Sequence, residues 1–119
     1  MKLIMLLLFT VLIHCQTKKE VHSFIASLGV EYPNIVTRQA YYESKHLKST
    51  ICKENNNLFG MKLAKQRFTL AIGENRGHAV YRNWKESVLD YYIWQRKYYK
   101  SGDYYKFLEK SGYCPYNKE

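Results

Sequence analysis

The segment from Pro33 to Glu43 carries a single carboxyl group on the inward face of a short helix. Pro33 suits the first turn of a helix. Val36, Ala40 and Glu43 then recur at the spacing of one helical stripe. The acid therefore ends the stripe that packs inward, where partial burial favours the protonated form that a general acid needs. The pattern predicts a helix whose last turn holds a half-buried acid.

Apolar periodicity and capping residues predict three further helices. The first runs from about residue 19 to 28, and Gly29 is a natural stop. Asn83 opens a longer helix as a capping box with Glu86 and continues to about Tyr99. Asp103 caps a last short helix that ends at Gly112. With the helix that ends in Glu43, the chain has about four to five helices and is mainly α.

Turn-forming residues separate these helices. Residues 47–57 end in three consecutive asparagines, which favour turns and local side-chain hydrogen bonds, so a loop is predicted there. Residues 67–82 alternate apolar and polar side chains around the strong turn signal at 73–77. This pattern predicts one β-hairpin.

The first fifteen residues are typical of a signal peptide. Lys2 is followed by an apolar run from residue 3 to 13, which is too short to span a bilayer. Cys15 follows Leu12 as in a bacterial lipobox, which makes lipidation of Cys15 one alternative, although His14 is larger than the usual residue before that cysteine. A membrane anchor and a buried helix are the other interpretations. We expect residues 16–119 to form a single domain in an exported protein, periplasmic or at the cell surface.

The charge favours an anionic polymer as partner. The formal net charge is +9, and residues 1–15 contain one lysine and no acid, so residues 16–119 carry about +8. Nucleic acid, anionic lipid and cell wall all fit such a charge. Export argues against nucleic acid, which remains an alternative only for a chain retained in the cytosol.

Two cysteines remain once residues 1–15 are set aside, Cys52 and Cys114. In an oxidising compartment such a pair is expected to form a disulfide, which would contribute about 4 kcal/mol by closing a long loop. Two separate thiols are the alternative. Histidines occur singly and give no metal-ligand spacing, so no metal or other cofactor is predicted.

Four motifs occur in a characteristic order along the chain. Glu43-Ser44 comes first, and the run Asn-Asn-Leu-Phe-Gly-Met-Lys follows at residues 56–62. A Tyr-Arg-Asn-Trp-Lys-Glu-Ser segment occupies residues 81–87, and Gly112-Tyr113 stands near the end. This order resembles the glucosaminidase domain of glycoside hydrolase family 73 over about residues 20–116. The resemblance implies an α+β, lysozyme-like fold in which the hairpin lines a glycan cleft.

The chain departs from the family pattern at two places. Many members follow Glu-Ser with Gly-Trp-Gly, whereas this chain has Lys45-His46-Leu47. Cys114 replaces the alanine that usually follows the Gly-Tyr pair. In the family both segments border the active site, so the resemblance implies that a Cys52–Cys114 disulfide would clamp them together.

The resemblance implies an exported peptidoglycan hydrolase of the endo-β-N-acetylglucosaminidase type. Glycoside hydrolysis usually uses two carboxyl groups. Glu43 is the expected general acid, and Glu74 on the hairpin is the candidate second carboxylate. Tyr113 matches a family tyrosine that lines the cleft and polarises the N-acetyl group or water.

Four further residues are candidates for sugar binding, although each is also a plausible packing residue: Asn57, Phe59, Tyr81 and Trp84. The expected partner is the glycan strand of peptidoglycan, with the membrane as a second partner if the N-terminus is lipidated, and the expected state is a monomer. Two other functions remain open. A lytic transglycosylase shares the fold and needs one acid, and a glycan-binding protein would have lost the chemistry.

Overall fold

The computed structural model describes residues 16–113, which form five helices and one two-stranded sheet. The predictions for residues 1–15, including lipidation of Cys15, and for Cys114 lie outside the described residues. The mainly α fold with a small hairpin is confirmed. The elements in chain order are α1 (Lys18–Ser27), α2 (Pro33–Glu43), α3 (Thr50–Asn55), β1 (Gly73–Asn75), β2 (His78–Val80), α4 (Trp84–Tyr98) and α5 (Tyr104–Lys110).

Helix ends follow the capping residues. Thr17 and Glu20 form a reciprocal capping box at the start of α1, with bonds of 3.1 and 2.9 Å. The predicted cap of α4 is confirmed, since Asn83 Oδ1 accepts a hydrogen bond from the backbone N–H of Glu86 at 3.0 Å. The predicted cap of α5 is confirmed as well, because Asp103 accepts from two backbone N–H groups of the first turn.

The loop predicted over residues 47–57 contains a helix, α3. Ser49 accepts a hydrogen bond from the backbone N–H of Cys52 at 3.1 Å and so caps this helix. The asparagines come at its end: Asn55 is its last residue, and Asn56 ends it in the left-handed region at φ 54°. The loop prediction was wrong because turn-forming residues that terminate a helix look the same in sequence as those of a loop.

The hairpin is confirmed but is shorter than the predicted residues 67–82. Its strands pair antiparallel over three residues each, and Arg76 and Gly77 form the turn with positive φ. Just before β1 the backbone N–H of Ile72 still donates to the Val80 carbonyl at 2.8 Å, but the N–H of Leu70 donates to Asp90 on α4 at 3.0 Å. The alternating apolar and polar residues predicted that Leu70 would pair with the opposite strand, but the side chain of Asp90 on α4 accepts its hydrogen bond instead.

The core lies where α1, α2, α4 and α5 meet. A buried polar network joins three of these helices: the Tyr91 hydroxyl lies 2.6 Å from both Gln39 Oε1 and the Tyr104 hydroxyl, and Gln95 donates to Tyr104 at 2.8 Å. Paired polar groups of this kind fix the relative position of the helices they join. None of the five helices in residues 16–113 combines the length and apolar character that crossing a membrane requires.

Candidate active site

The end of α2 opens into a cleft of about 730 Å³. Within residues 16–113, Glu43 is the only carboxylate that lines it. One wall is the segment that follows the Asn-Leu-Phe-Gly motif, and the other comes from α4 and the end of α5. The lining residues are Glu43, residues 60–67, Trp94, Tyr98 and residues 111–113.

Glu43 is half-buried at the last residue of α2, as its helical spacing predicts. The next residue, Ser44, is buried, and its hydroxyl accepts a hydrogen bond from the backbone N–H of Leu47 at 2.8 Å. The backbone carbonyl of Ser44 also accepts from the N–H groups of Lys48 and Ser49. These bonds fold the chain tightly back after α2 and fix the position at which Glu43 leaves the helix.

The turn after Glu43 is strained. Lys45, His46 and Leu47 have φ angles of 51°, 60° and 67°, the left-handed region that non-glycine residues rarely adopt. Left-handed backbone costs about 1–2 kcal/mol for each such residue. These are the positions at which the family commonly has Gly-Trp-Gly. Side-chain packing offsets part of the cost, since His46 stacks on Tyr41 at 4.4 Å and Leu47 is buried.

The backbone of the Asn-Leu-Phe-Gly motif approaches the acid closely. Gly60 has φ 64°, and a Cβ atom placed there would lie 3.7 Å from Glu43 Oε1. Asn57 holds this turn through its side-chain amide. Its Nδ2 donates to the carbonyl groups of Met61 and Ala79 at 2.9 Å each, and its Oδ1 accepts from the backbone N–H of Met61.

Tyr113 reaches the cleft through the end of α5. The backbone N–H of Gly112 donates to Glu109 and that of Tyr113 donates to Leu108, at 3.1 and 3.0 Å. Together with φ 97° at Gly112, these two bonds make a Schellman motif. The ring of Tyr113 then packs edge-on against Trp94, with 5.9 Å between ring centroids.

Two groups that line the cleft, the Glu43 carboxyl group and the Tyr113 hydroxyl, interact electrostatically. Burial raises the pKa of the Tyr113 hydroxyl, and the negative charge of Glu43 raises this pKa further. Tyr113 therefore stays neutral at physiological pH. Its hydroxyl can donate a hydrogen bond in the same cleft as the carboxyl group.

A buried ion pair anchors the cleft wall. Arg67 binds both oxygens of Asp90, at 2.9 and 3.1 Å, and only 5% and 1% of the two side chains are exposed. Tyr81 and Thr69 donate to the same carboxylate at 2.6 and 3.0 Å. Burial alone would raise the pKa of Asp90, but the bonds from Arg67, Tyr81 and the Leu70 amide outweigh it and lower that pKa. The wall is thus attached to α4 by a carboxylate whose charge is fully compensated.

Three of the residues predicted to bind sugar are buried in the structure. Asn57, Phe59 and Tyr81 are at most 1% exposed, and none of them lines the cleft. Their side chains therefore cannot touch a glycan in this structure. Phe59 stacks on Tyr91 at 4.2 Å and Tyr81 bonds to Asp90, so their part is to support the cleft from behind.

Trp84 and Glu74 also lie outside the cleft lining. Trp84 packs edge-on against Phe24 of α1 at 5.6 Å and borders a separate depression. Glu74 is exposed in the middle of β1, opposite Ala79. No residue of the hairpin strands lines the cleft; the segment between the motif and the hairpin does.

Sequence reasoning missed the aromatic and basic residues of the cleft. Trp94 and Tyr98 lie one helical turn apart on α4, and 44% of Tyr98 is exposed. Lys62 and Lys65 are exposed on the opposite wall. The i, i+4 spacing of the two aromatic residues was visible in the sequence, but it did not indicate which side of α4 faces the cleft.

Cys52 is buried on α3. Its predicted partner Cys114 lies beyond residue 113, so the disulfide stays a prediction. Within residues 16–113 no group of histidine, cysteine and acidic side chains could hold a metal ion.

The chain belongs to the glucosaminidase family. The family model, described as mannosyl-glycoprotein endo-beta-N-acetylglucosaminidase, matches residues 20–119. The match covers the hairpin and all five helices except the first two residues of α1.

Part of the chain is also similar to a curated protein. The chain is 41% identical over 58 residues to Protein bax of Escherichia coli strain K12. This alignment covers 49% of the chain and 21% of the relative, so the chain spans about a fifth of that protein's length. No solved structure matches.

Proposed function

We propose that this protein is an exported peptidoglycan hydrolase that cleaves glycan strands as an endo-β-N-acetylglucosaminidase, with Glu43 as the general acid. The observation that carries the proposal is the position of Glu43: it is half-buried and is the only carboxylate lining the cleft within residues 16–113. Membership of the glucosaminidase family supports the same reaction class.

The proposed reaction begins with proton transfer. Protonated Glu43 donates its proton to the oxygen that links two sugars, and the bond from that oxygen to C1 breaks. Within residues 16–113 no second carboxylate lines the cleft, so in the proposed reaction the carbonyl oxygen of the substrate's N-acetyl group bonds to C1 in its place. Glu43 then removes a proton from a water molecule, whose oxygen bonds to C1 while the bond from C1 to the N-acetyl oxygen breaks, which restores the N-acetyl group and releases the product. Tyr113, which stays neutral, donates a hydrogen bond to the N-acetyl group or to that water.

Glu74 is the alternative second group. A carboxylate on a short exposed hairpin can act on bound glycan only if the hairpin moves toward the cleft. The experiment below therefore includes Glu74 as a separate variant.

The walls of the cleft fit an anionic glycan. Trp94 and the exposed face of Tyr98 offer an aromatic surface on which the apolar faces of sugar rings can stack. Lys62 and Lys65 face them from the other wall, and neither takes part in an ion pair within residues 16–113. Carboxylates of muramic acid or its stem peptide would complement these charges.

A lytic transglycosylase is the second candidate, and the same single carboxylate favours it. In that reaction Glu43 protonates the leaving oxygen and then removes the proton from the 6-hydroxyl of the muramic acid residue. That hydroxyl attacks C1 of its own ring, and an anhydro product forms without water.

The test is digestion of purified sacculi by the full chain in mild detergent, with Glu43→Gln and Glu74→Gln as matched variants. Borohydride-reduced fragments are identified by mass spectrometry. Ends in reduced N-acetylglucosamine, lost with Glu43→Gln, are expected. Retained activity in Glu74→Gln supports participation of the N-acetyl group, whereas its loss assigns Glu74 as the second group.

Other results would replace the proposal. Anhydro-muramic ends would assign the transglycosylase reaction. Binding of sacculi without release of fragments by the unchanged protein would leave a glycan-binding protein.

A further inference from the structure

A second surface, which shares no lining residue with the cleft, concentrates positive charge. Two depressions of about 530 and 370 Å³ adjoin each other and share Lys18. No acidic residue lines either one, and no residue of either lines the cleft. We call this surface the basic face. Its permanent cations are Lys18, Lys19, Arg38, Lys48 and Lys53.

Within residues 16–113, no cation of the basic face forms an ion pair with a carboxylate. The three ion pairs within residues 16–113 use Arg67, Arg76 and Arg82 instead. The ammonium group of Lys18 lies 4.7 Å from the centre of the Tyr41 ring, which orients the charge without cancelling it. Five such charges on one side of a small domain attract anions, and the attraction extends over a Debye length of about 10 Å.

The position of the basic face indicates which anion covers it. Gln16, the first described residue, lines the same depression as Lys18 and Lys48. In sequence Gln16 directly follows Cys15 and comes three residues after Ile13, the end of the apolar run of residues 3–13. Three residues of extended chain reach at most about 11 Å, so the basic face stays within that distance of the end of the run.

We propose that the basic face docks on the headgroups of an anionic lipid bilayer when the chain is anchored next to Gln16, either by the retained apolar run or by a lipid on Cys15. This proposal is independent of the reaction in the cleft. Each basic side chain near an anionic surface strengthens binding by roughly fivefold, so five of them would hold the domain flat against the membrane rather than on a free tether. Because the cleft shares no residue with this face, glycan can enter while the domain is docked.

The test uses the full chain reconstituted into vesicles of phosphatidylcholine alone or of phosphatidylcholine mixed with the anionic lipid phosphatidylglycerol. Acetylation rates of individual lysines are measured by mass spectrometry with a water-soluble reagent. In anionic vesicles we expect severalfold slower acetylation of Lys18, Lys19, Lys48 and Lys53. Three exposed lysines serve as internal controls that should not change: Lys100, Lys106 and Lys110.

A charge-matched pair of variants makes the test specific. Lys18→Gln/Lys19→Gln/Arg38→Gln should restore fast acetylation of Lys48 and Lys53 in anionic vesicles, and Lys100→Gln/Lys106→Gln/Lys110→Gln should not. Equal rates in both kinds of vesicle would overturn the proposal. Slow acetylation already present in neutral vesicles would also overturn it, since a segment of the chain itself would then cover the face.

Discussion

The carboxylate of Glu43 raises the pKa of the Tyr113 hydroxyl, although the two residues belong to the second helix and to the segment after the last. Both residues line one cleft, and the tyrosine hydroxyl stays neutral at physiological pH. Each depends on a backbone feature that ends its helix: the left-handed turn after Glu43 and the Schellman motif before Tyr113.

Tyr113→Phe should lower kcat by about 10²-fold with little change in KM, because one hydrogen-bond donor to the reacting group is lost. Phenylalanine keeps the edge-on contact with Trp94, so the melting temperature should stay close to that of the unchanged protein. The measurement is the initial rate of sacculus solubilisation. Tyr105→Phe, outside the cleft, is the control, and an unaltered kcat in Tyr113→Phe would rule out a part for this hydroxyl.

Tyr98→Ala should raise KM roughly fivefold and leave kcat nearly unchanged, because loss of a stacked aromatic surface costs about 1 kcal/mol of binding. Phe68→Ala is the matched control, since Phe68 is more exposed than Tyr98 but does not line the cleft. Binding of defined glycan fragments by calorimetry gives the same comparison without turnover. Equal affinity in the two variants would exclude Tyr98 from the sugar contact.

Asp90→Asn should lower the free energy of unfolding by about 3–5 kcal/mol, because it leaves the buried guanidinium of Arg67 without its counter-charge. The pKa of Asp90 is lowered in the folded protein, so its stabilising effect is complete above the ordinary value of about 4 and is lost as pH falls below it. Urea unfolding at neutral and acid pH checks both points. The variant should lose less stability on acidification than the unchanged protein; an identical loss would contradict the assignment.

Gly60→Ala should lower stability by about 1–2 kcal/mol, the cost of left-handed backbone in a residue with a Cβ atom. It should also reduce activity, because the added methyl group would lie in van der Waals contact with Glu43 Oε1 at 3.7 Å and take up space beside the carboxyl group that a sugar or water would use. Gly77→Ala in the hairpin turn has the same backbone strain, with no atom near its Cβ, and is the control. Chemical denaturation and sacculus release separate the two effects. Equal activity in both variants would show that Gly60 is needed only for the fold.

The sequence alone was sufficient for the elements that local rules determine. Helices α1, α2, α4 and α5 follow from apolar spacing and from side chains that cap helix ends, and both depend on neighbours within a few residues. The half-buried position of Glu43 at the end of α2 was predictable for the same reason, and the motif that follows it marked it as a candidate acid. The helix α3 was missed because its asparagines are local signals shared by loops and helix ends.

Only the tertiary structure decided which residues form the cleft. The hairpin is short because Asp90 of α4 binds the segment before it, and Tyr81 and Phe59 are core residues because α4 covers them. The packing of segments that are distant in sequence determines which further residues line the cleft: Trp94, Tyr98, Lys62 and Lys65. Such contacts depend on side chains far apart in the chain, and spacing along a sequence carries no information about them.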